Sequence, residues 1–416
     1  MKKVSIVTLG CKVNQVESEN IAEELEKLGY SVSMGLNEAD IYIINTCAVT
    51  NEAERKSRNI ITKLLKINPN SSIYVCGCAS HNNADNFKKS ENVKDIIGNY
   101  DKNALVKSIC KNDPTENKPQ KNNVSRRVTE RTRAILWAQN GCNNFCTYCL
   151  IPYLRGRETS FPLADLEKEV RKLEKIANEI VITGINLSSY GNDIEGSDGL
   201  IEVARLFKNS PSRFRFSSLE VNVISDKFLS ELATFENFCD QFHLSLQSGG
   251  NNTLKSMNRH YTKEQYLEKV ELIRKYFPNA GITTDIIIGF PTETEDDFNE
   301  SLEFVKSVNF FEMHVFPYSK RNGTVAEKFK NIATNVPERV KKMTEAANAM
   351  KQEFLKKNVG LIHEVIIETK KENYYLAHTK NYILCYIESN EELAPNSKVN
   401  VKILTPYADG ATAKIV

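Results

Sequence analysis

The sequence predicts an α/β protein built from three units. These are an amino-terminal parallel α/β domain, a central partial (βα)6 barrel-like domain, and a small carboxyl-terminal β-barrel. Three observations carry this. Strand and helix patterns alternate over residues 1–110 and again beyond 132. A polar stretch rich in Asn, Lys and Pro separates the two runs. The residues beyond 360 are short β-rich pieces with turn residues between them. The expected units are 1–112, a basic linker at 113–131, 132–357 and 358–416. A length of 416 residues suits two or three domains.

The elements follow in order. "KVSIVTL" reads as a buried strand, and "SENIAEELEKLGY" places Ile21, Leu25 and Leu28 on one helical face with Gly29 as its stop. "ADIYIINT" is a second strand. "NEAERKSRNIITKLLKINP" is a second helix ended by Pro69, and "SSIYVCGC" is a third strand. In the central unit six strands are expected: "RAILWAQ", "NEIVITG", "RFRFSSL", "QFHLSLQ", "GITTDIIIGF" and "FFEMHVFPY". Helices such as "LADLEKEVRKLEKIA" separate them, and "VPERVKKMTEAANAMKQEFLKKNVG" closes the unit. The terminal pieces "LIHEVIIETK", "NYYLAHT", "NYILCYI", "SKVNVKIL" and "GATAKIV" suit a five-stranded barrel of the oligonucleotide-binding type. There Tyr374, Tyr375 and Tyr382 are either base-stacking platforms or half-buried strand residues.

The bulk numbers exclude some classes. The chain is 41% hydrophobic and 26% charged with net charge +2, and no run approaches a membrane span. The start "MKKVSIVTLGCKVNQVESEN" has too short an apolar run for a leader, so a cytoplasmic address is expected. Residues 118–133 hold six Lys or Arg against one acidic residue. That strip is either a solvated linker or a contact for nucleic-acid phosphates.

Ten cysteines in such a chain point to metal or catalysis rather than disulfides. Cys11, Cys47 and the pair Cys76/Cys78 each follow or end a strand of the first unit. All therefore lie at the carboxyl edge of a parallel sheet, where ligand sites form. Cys78 follows Gly77, which permits a sharp turn, and is the favoured ligand; Cys76, inside the strand, is the alternative. Cys142-x-x-x-Cys146-x-x-Cys149 follows the first barrel strand. A zinc site would need a fourth ligand, and the nearest downstream histidine is His243. An all-thiolate, loop-borne set suits an iron–sulfur cluster, and three thiolates on four irons leave one iron open. Cys110, Cys239 and Cys385 read as ordinary buried thiols.

These residues resemble the radical S-adenosylmethionine enzymes, whose signature is C-x-x-x-C-x-x-C at the head of a βα barrel. With Cys11, Cys47 and Cys78 ahead of it and a small barrel behind, the chain resembles the methylthiotransferases over essentially its whole length. "LGCKVNQVESE" and "HLSLQSG" are similar to the group acting on threonylcarbamoyladenosine in tRNA. Groups acting on isopentenyladenosine in tRNA or on a ribosomal-protein aspartate are the alternatives. A non-catalytic metal-bearing RNA-binding protein is the alternative of another class. Asn140, Val221 and Thr292 depart from the family pattern, where Asp, Pro and Gly are usual.

The resemblance implies two [4Fe–4S] clusters, on Cys142, Cys146 and Cys149 and on Cys11, Cys47 and Cys78, with S-adenosylmethionine bound at the former. It implies hydrogen abstraction from C2 of adenine, then sulfur insertion and methyl transfer. It implies a tRNA anticodon-loop substrate, a flavodoxin- or ferredoxin-type electron donor, no membrane, a monomer, and a terminal barrel of the TRAM RNA-binding type. Tyr148 would pack on the cofactor adenine, and Thr183 and Gly184 would approach its methionine amino group. Ser217, Glu220 and Gln247 are further candidate cofactor contacts; they and Ser218, His243, Asp285 and Gly289 lie at or near strand ends, each with an equally good structural reading. Arg155 and Arg157 would neutralise a cofactor carboxylate or tRNA phosphate, or simply be solvated. Lys12, Lys320 and Arg321 are candidate cations for the substrate's carbamoyl-threonine carboxylate.

Overall fold

The computed structural model describes residues 1–48, 50–88, 90–98, 102–113 and 132–416. The basic linker therefore lies, except for Asp113, outside the described residues, as does the expected phosphate strip apart from Thr132 and Arg133.

The first unit is a five-stranded, all-parallel sheet of β1 (Lys3–Thr8), β2 (Ser31–Met34), β3 (Ile41–Thr46), β4 (Ser72–Gly77) and β5 (Val93–Ile96). Their spatial order is β2-β1-β3-β4-β5. The three central strands are the expected ones. The edges β2 and β5 were not expected, because four half-exposed residues carry too little alternation to stand out.

The central unit contains β6 (Arg133–Asn140), β7 (Thr159–Ser160), β8 (Glu179–Gly184), β9 (Arg213–Phe216), β10 (Ser218–Leu219), β11 (Gln241–Leu244), β12 (Gly281–Ile288) and β13 (Glu312–Pro317). They form two sheets, β7-β6-β8-β9 and β10-β11-β12-β13, parallel apart from the short β7. The expected strand "RFRFSSL" splits at Ser217 and hands the chain from one sheet to the other. Six βα steps thus make an open barrel. Helix starts obey local chemistry: Thr262 and Thr294 each form a capping box, with Gln265 and Asp297. Among the described residues no helix is long and apolar enough to cross a membrane.

The last unit is a closed five-stranded barrel of β14 (Ile362–Lys371), β15 (Tyr374–Thr379), β16 (Leu384–Ile387), β17 (Lys398–Tyr407) and β18 (Gly410–Ile415). Tyr375 is buried in its core and so cannot stack on a base. Tyr382 has Arg215 over its ring at 4.5 Å and Arg133 at 5.2 Å. Tyr374 instead meets Tyr386 and Tyr407 at the surface, ring centroids 5.7 Å from each.

Two junctions hold the units together. Leu150 and Leu154, just past the third central cysteine, pack into the first unit's core with Val7, Ala48 and Ala79. The terminal barrel is fixed by a buried charge network. Glu179 accepts from Arg213 Nε and Arg215 Nε at 2.7 Å and from Arg133 Nε at 2.8 Å. Arg213 also donates to the His378 carbonyl at 2.9 Å, and Arg133 pairs with Glu368, both in the barrel. Burial alone would raise the Glu179 pKa, but the three guanidiniums hold it well below the usual carboxylate range. Removing one partner strands the others' charges. Glu179→Ala should therefore cost about 3–5 kcal/mol, read as a lower urea midpoint; an unchanged midpoint would contradict this role.

Candidate active site

The first-unit cysteines lie on three neighbouring loops at the sheet's carboxyl edge, and those loops are stapled together. Cys11 is exposed at the start of the helix Lys12–Lys27, while Cys47 follows β3 and Cys78 opens the helix Cys78–Asn82, both buried. Gly10 sits so close to Cys47 that a Cβ on it would lie 2.8 Å from the Cys47 sulfur. Gly77, at φ 99°, would bring a Cβ to 2.5 Å from the Thr46 carbonyl oxygen. Buried Asn14 donates from Nδ2 to the carbonyls of Leu9 (2.9 Å) and Thr46 (3.0 Å), tying the Cys11 and Cys47 loops together. The Gly77 turn also separates Cys76, inside β4, from Cys78, which follows it. Cys76 packs with Val4, Ile43 and Tyr74, whereas Cys78 packs with Ala48, Ala79 and Leu150 in a different cluster.

Cys142, Cys146 and Cys149 lie on the loop after β6 and are half-buried. That loop is held by Thr147 N to the Met257 carbonyl (3.1 Å) and by Asn258 Nδ2 to the carbonyls of Asn144 (3.0 Å) and Phe145 (3.2 Å). As free thiols, burial pushes Cys142 up to about 11 and Cys149 up to about 12. Each sulfur has an N–H donor: Asn144 N to Cys142 (3.5 Å), Ile151 N to Cys149 (3.4 Å) and Arg259 Nη1 to Cys146 (3.5 Å). Donors aimed at sulfurs fit thiolates held on a cluster.

The expected cofactor residues divide. Glu220 is paired with Arg259, next to the cysteine loop. Tyr148 packs against the cluster of Met257, Phe290 and Ala326. Thr183 is buried at the end of β8, and a Cβ on Gly184 would lie 2.9 Å from Gln139 Oε1. Gln247 takes φ 69° and bridges to Asp285 and Ile287 through its backbone. Gly289 packs against Val336 and serves the fold.

A cavity of ≈ 810 Å³ lies where all three units meet. Its walls include Cys11 and Lys12, then Arg133, Arg215, Ser217, Ser218, His243, Asp285 and His314, then Glu368 and Tyr382. The central cysteines, Thr183, Gly184, Glu220 and Gln247 are not in its lining. Asp285 faces His243 Nε2 at 3.4 Å and His314 Nδ1 at 3.1 Å. Burial works against its charge, but the two imidazoles hold it far below the usual range, and Asp285 in turn raises His314. Lys12 keeps solvent contact, yet desolvation by the cavity walls, with Arg215 and Arg133 nearby, lowers its pKa.

Two arginines depart from expectation, while a third, Arg157, is exposed as its solvated reading expects. Arg155 is neither solvated nor aimed at phosphate: it is buried and paired with Glu17 of the first unit. Arg321 does not line the cavity; it is buried, and its nearest ionisable groups include Cys149, Cys47 and Cys78. Arg157 lies over the Phe145 ring at 4.7 Å. Arg259, Asn14 and Glu17 were missed, since pairings across 39 to 141 residues leave no local signature. If Cys78 is the ligand, Cys78→Ala should lower anaerobic iron from about eight to about four atoms per chain, and Cys76→Ala should not. The opposite outcome would assign Cys76.

Comparison with known proteins agrees with this architecture. Residues 138–305 match the radical SAM superfamily model, and residues 3–98 match uncharacterized protein family UPF0004. The chain is 34% identical to the threonylcarbamoyladenosine tRNA methylthiotransferase MtaB of Bacillus subtilis, over 100% of this chain and 97% of that protein. It is 36% identical to the same-named protein of Aquifex aeolicus, covering 92% and 95%. It is also 37% identical to the tRNA-2-methylthio-N(6)-dimethylallyladenosine synthase of Clostridium tetani, covering 88% and 86%. The radical S-adenosylmethionine methyltransferase TsrM from Kitasatospora setae shares the fold, at TM-score 0.55 and 13% identity over 76% of this chain and 75% of that one. The chain therefore belongs to the radical S-adenosylmethionine methylthiotransferases, enzymes that use S-adenosylmethionine and [4Fe–4S] clusters.

Proposed function

We propose that the chain is a tRNA methylthiotransferase that converts N6-threonylcarbamoyladenosine beside the anticodon to its 2-methylthio derivative. The observation that carries this reading is the charge in the cavity. Lys12, Arg133 and Arg215 stand around a space that begins beside Cys11. A carbamoyl-threonine ends in a carboxylate, which such cations take. An isopentenyl group is wholly apolar and offers Lys12 no acceptor, whereas Arg133 and Arg215 already pair with Glu179. The isopentenyladenosine reading keeps one support, the similarity to the Clostridium tetani synthase.

When bound, the clusters and S-adenosylmethionine supply the radical, the sulfur and the methyl group. The chain's residues supply placement. Cys142, Cys146 and Cys149 would hold one cluster, with Arg259 and two backbone amides donating to their sulfurs. Cys11, Cys47 and Cys78 would hold the second. Tyr148, Thr183, Gly184, Ser217, Glu220 and Gln247 remain the candidate S-adenosylmethionine contacts, on the family pattern. Of these, Ser217 lines the cavity and Glu220 is locked to Arg259. The His243–Asp285–His314 group keeps a fixed carboxylate in the cavity wall and can orient the nucleoside's polar edge.

The units are taken as 1–112, a linker at 113–131, 132–357 and 358–416. The terminal barrel is read as a TRAM-type RNA grip, with Tyr374, Tyr386 and Tyr407 as its stacking surface. An anticodon-loop adenosine is already outside a helix, so presenting it costs little unstacking. The expected setting is a cytoplasmic monomer served by a flavodoxin- or ferredoxin-type donor.

Deleting the gene and digesting total tRNA for mass spectrometry should remove 2-methylthio-threonylcarbamoyladenosine and leave isopentenyl derivatives unchanged. Loss of the isopentenyl product instead would overturn the substrate assignment. Lys12→Gln should lower kcat/KM on a threonylcarbamoyladenosine stem-loop by about 2 kcal/mol, roughly thirtyfold, and an unaffected variant would remove Lys12 from the site.

A further inference from the structure

Arg155 ends the short helix Ile151–Arg155 that begins two residues after Cys149. It is 3% exposed. Nη1 donates to Glu17 Oε1 at 2.9 Å and lies 3.5 Å from Asn140 Oδ1. Nη2 donates to Asn14 Oδ1 at 2.7 Å and to Glu17 Oε2 at 3.1 Å. Asn14 is the same side chain that ties the Cys11 and Cys47 loops. One guanidinium thus joins the central cysteine loop to the loops that carry the first-unit cysteines.

The remaining donor is left over. Arg155 Nε is buried and has no acceptor among the described residues. An unmade bond at a buried charged group costs several kcal/mol, so such a donor calls for an acceptor. Apart from Glu17, which Nη1 and Nη2 already engage, the ionisable groups that act most on this guanidinium are the thiols of Cys78 and Cys11. Those two thiols belong, with Cys47, to the expected first-unit site, so a sulfur held there is the acceptor class that the surroundings of Arg155 offer.

We propose that Arg155 Nε–H donates a hydrogen bond to a sulfur of the cluster held by Cys11, Cys47 and Cys78, making Arg155 the positioning residue that couples the two cysteine sites. A hydrogen bond to cluster sulfur withdraws electron density and raises the reduction potential. The planar fork is needed, because three separate directions are used at once; a lysine ammonium cannot fill all of them. The inference rests on the presence of the second cluster and not on which nucleoside is modified, so a failed substrate test leaves it standing.

The test is pulsed electron paramagnetic resonance on full-length Cys146→Ala protein, in which only the first-unit cluster remains, grown with arginine carrying heavy nitrogen at Nε. The expected result is a hyperfine coupling of the heavy nitrogen isotope on the reduced cluster, which unlabelled protein lacks. It should persist in an added Arg321→Lys variant and vanish in an added Arg155→Lys variant, whose cluster potential should also fall. Absence of any arginine coupling would overturn the proposal. So would a coupling that disappears with Arg321→Lys, the other buried arginine near these cysteines. If Arg155→Lys fails to hold the cluster, the labelled parent and the Arg321→Lys variant still decide the question.

Discussion

The buried contact of Arg155 with Glu17 and Asn14 is the constraint on which the rest of the arrangement depends. Its two ends lie 138 residues apart, in different units. Taking both charges out of water is expensive, and the cost is offset only because Asn14 and Asn140 add to the two-pronged carboxylate contact. The apolar side of the same junction is Leu150 and Leu154, set into the first unit's core. Hydrophobic packing supplies most of the adhesion there, and the ion pair selects one register. The helix Lys12–Lys27, which carries Asn14 and Glu17, also lies against β6 and β8, so the first unit is fixed to the barrel's opening strands.

From that fixation follows the cavity. No single unit encloses it: the first contributes Cys11 and Lys12, the barrel its inward strand residues, the terminal unit Glu368 and Tyr382. The Glu179 network does for the terminal barrel what Arg155 does for the first unit. It also leaves Arg133 and Arg215 with one end in a buried ion pair and a flank in the cavity. The buried ion pairs of Arg155 and of Glu179 therefore sit at junctions, where geometry has to be held, while Arg339 pairs with Glu293 inside the central unit.

Much of the fold was legible because it is local. Period-two and period-3.6 patterns marked all six barrel strands and all five terminal strands, and they marked the three central strands of the first sheet. The placement of Cys11, Cys47 and Cys78 at one sheet edge was legible through a topological rule, since residues that follow parallel strands share one edge. The edge strands β2 and β5 were not, being too short to show a period. The arginines were misread for a different reason. A guanidinium's role is set by what lies across a junction, and neither Arg155 nor Arg321 has its partners nearby in sequence. Tyr375 and Tyr382 were ambiguous because a strand aromatic looks the same whether it faces a core, an arginine or solvent.

The central claim is that the two cysteine sites are neighbours across one junction. The fully reduced, cluster-loaded protein tests it directly by electron paramagnetic resonance. Two neighbouring paramagnetic clusters broaden each other's signal and speed each other's relaxation. The spectrum should therefore differ from the sum of those of the Cys146→Ala and Cys47→Ala proteins, each keeping one cluster. A spectrum equal to that sum, with unaltered relaxation, would contradict the account.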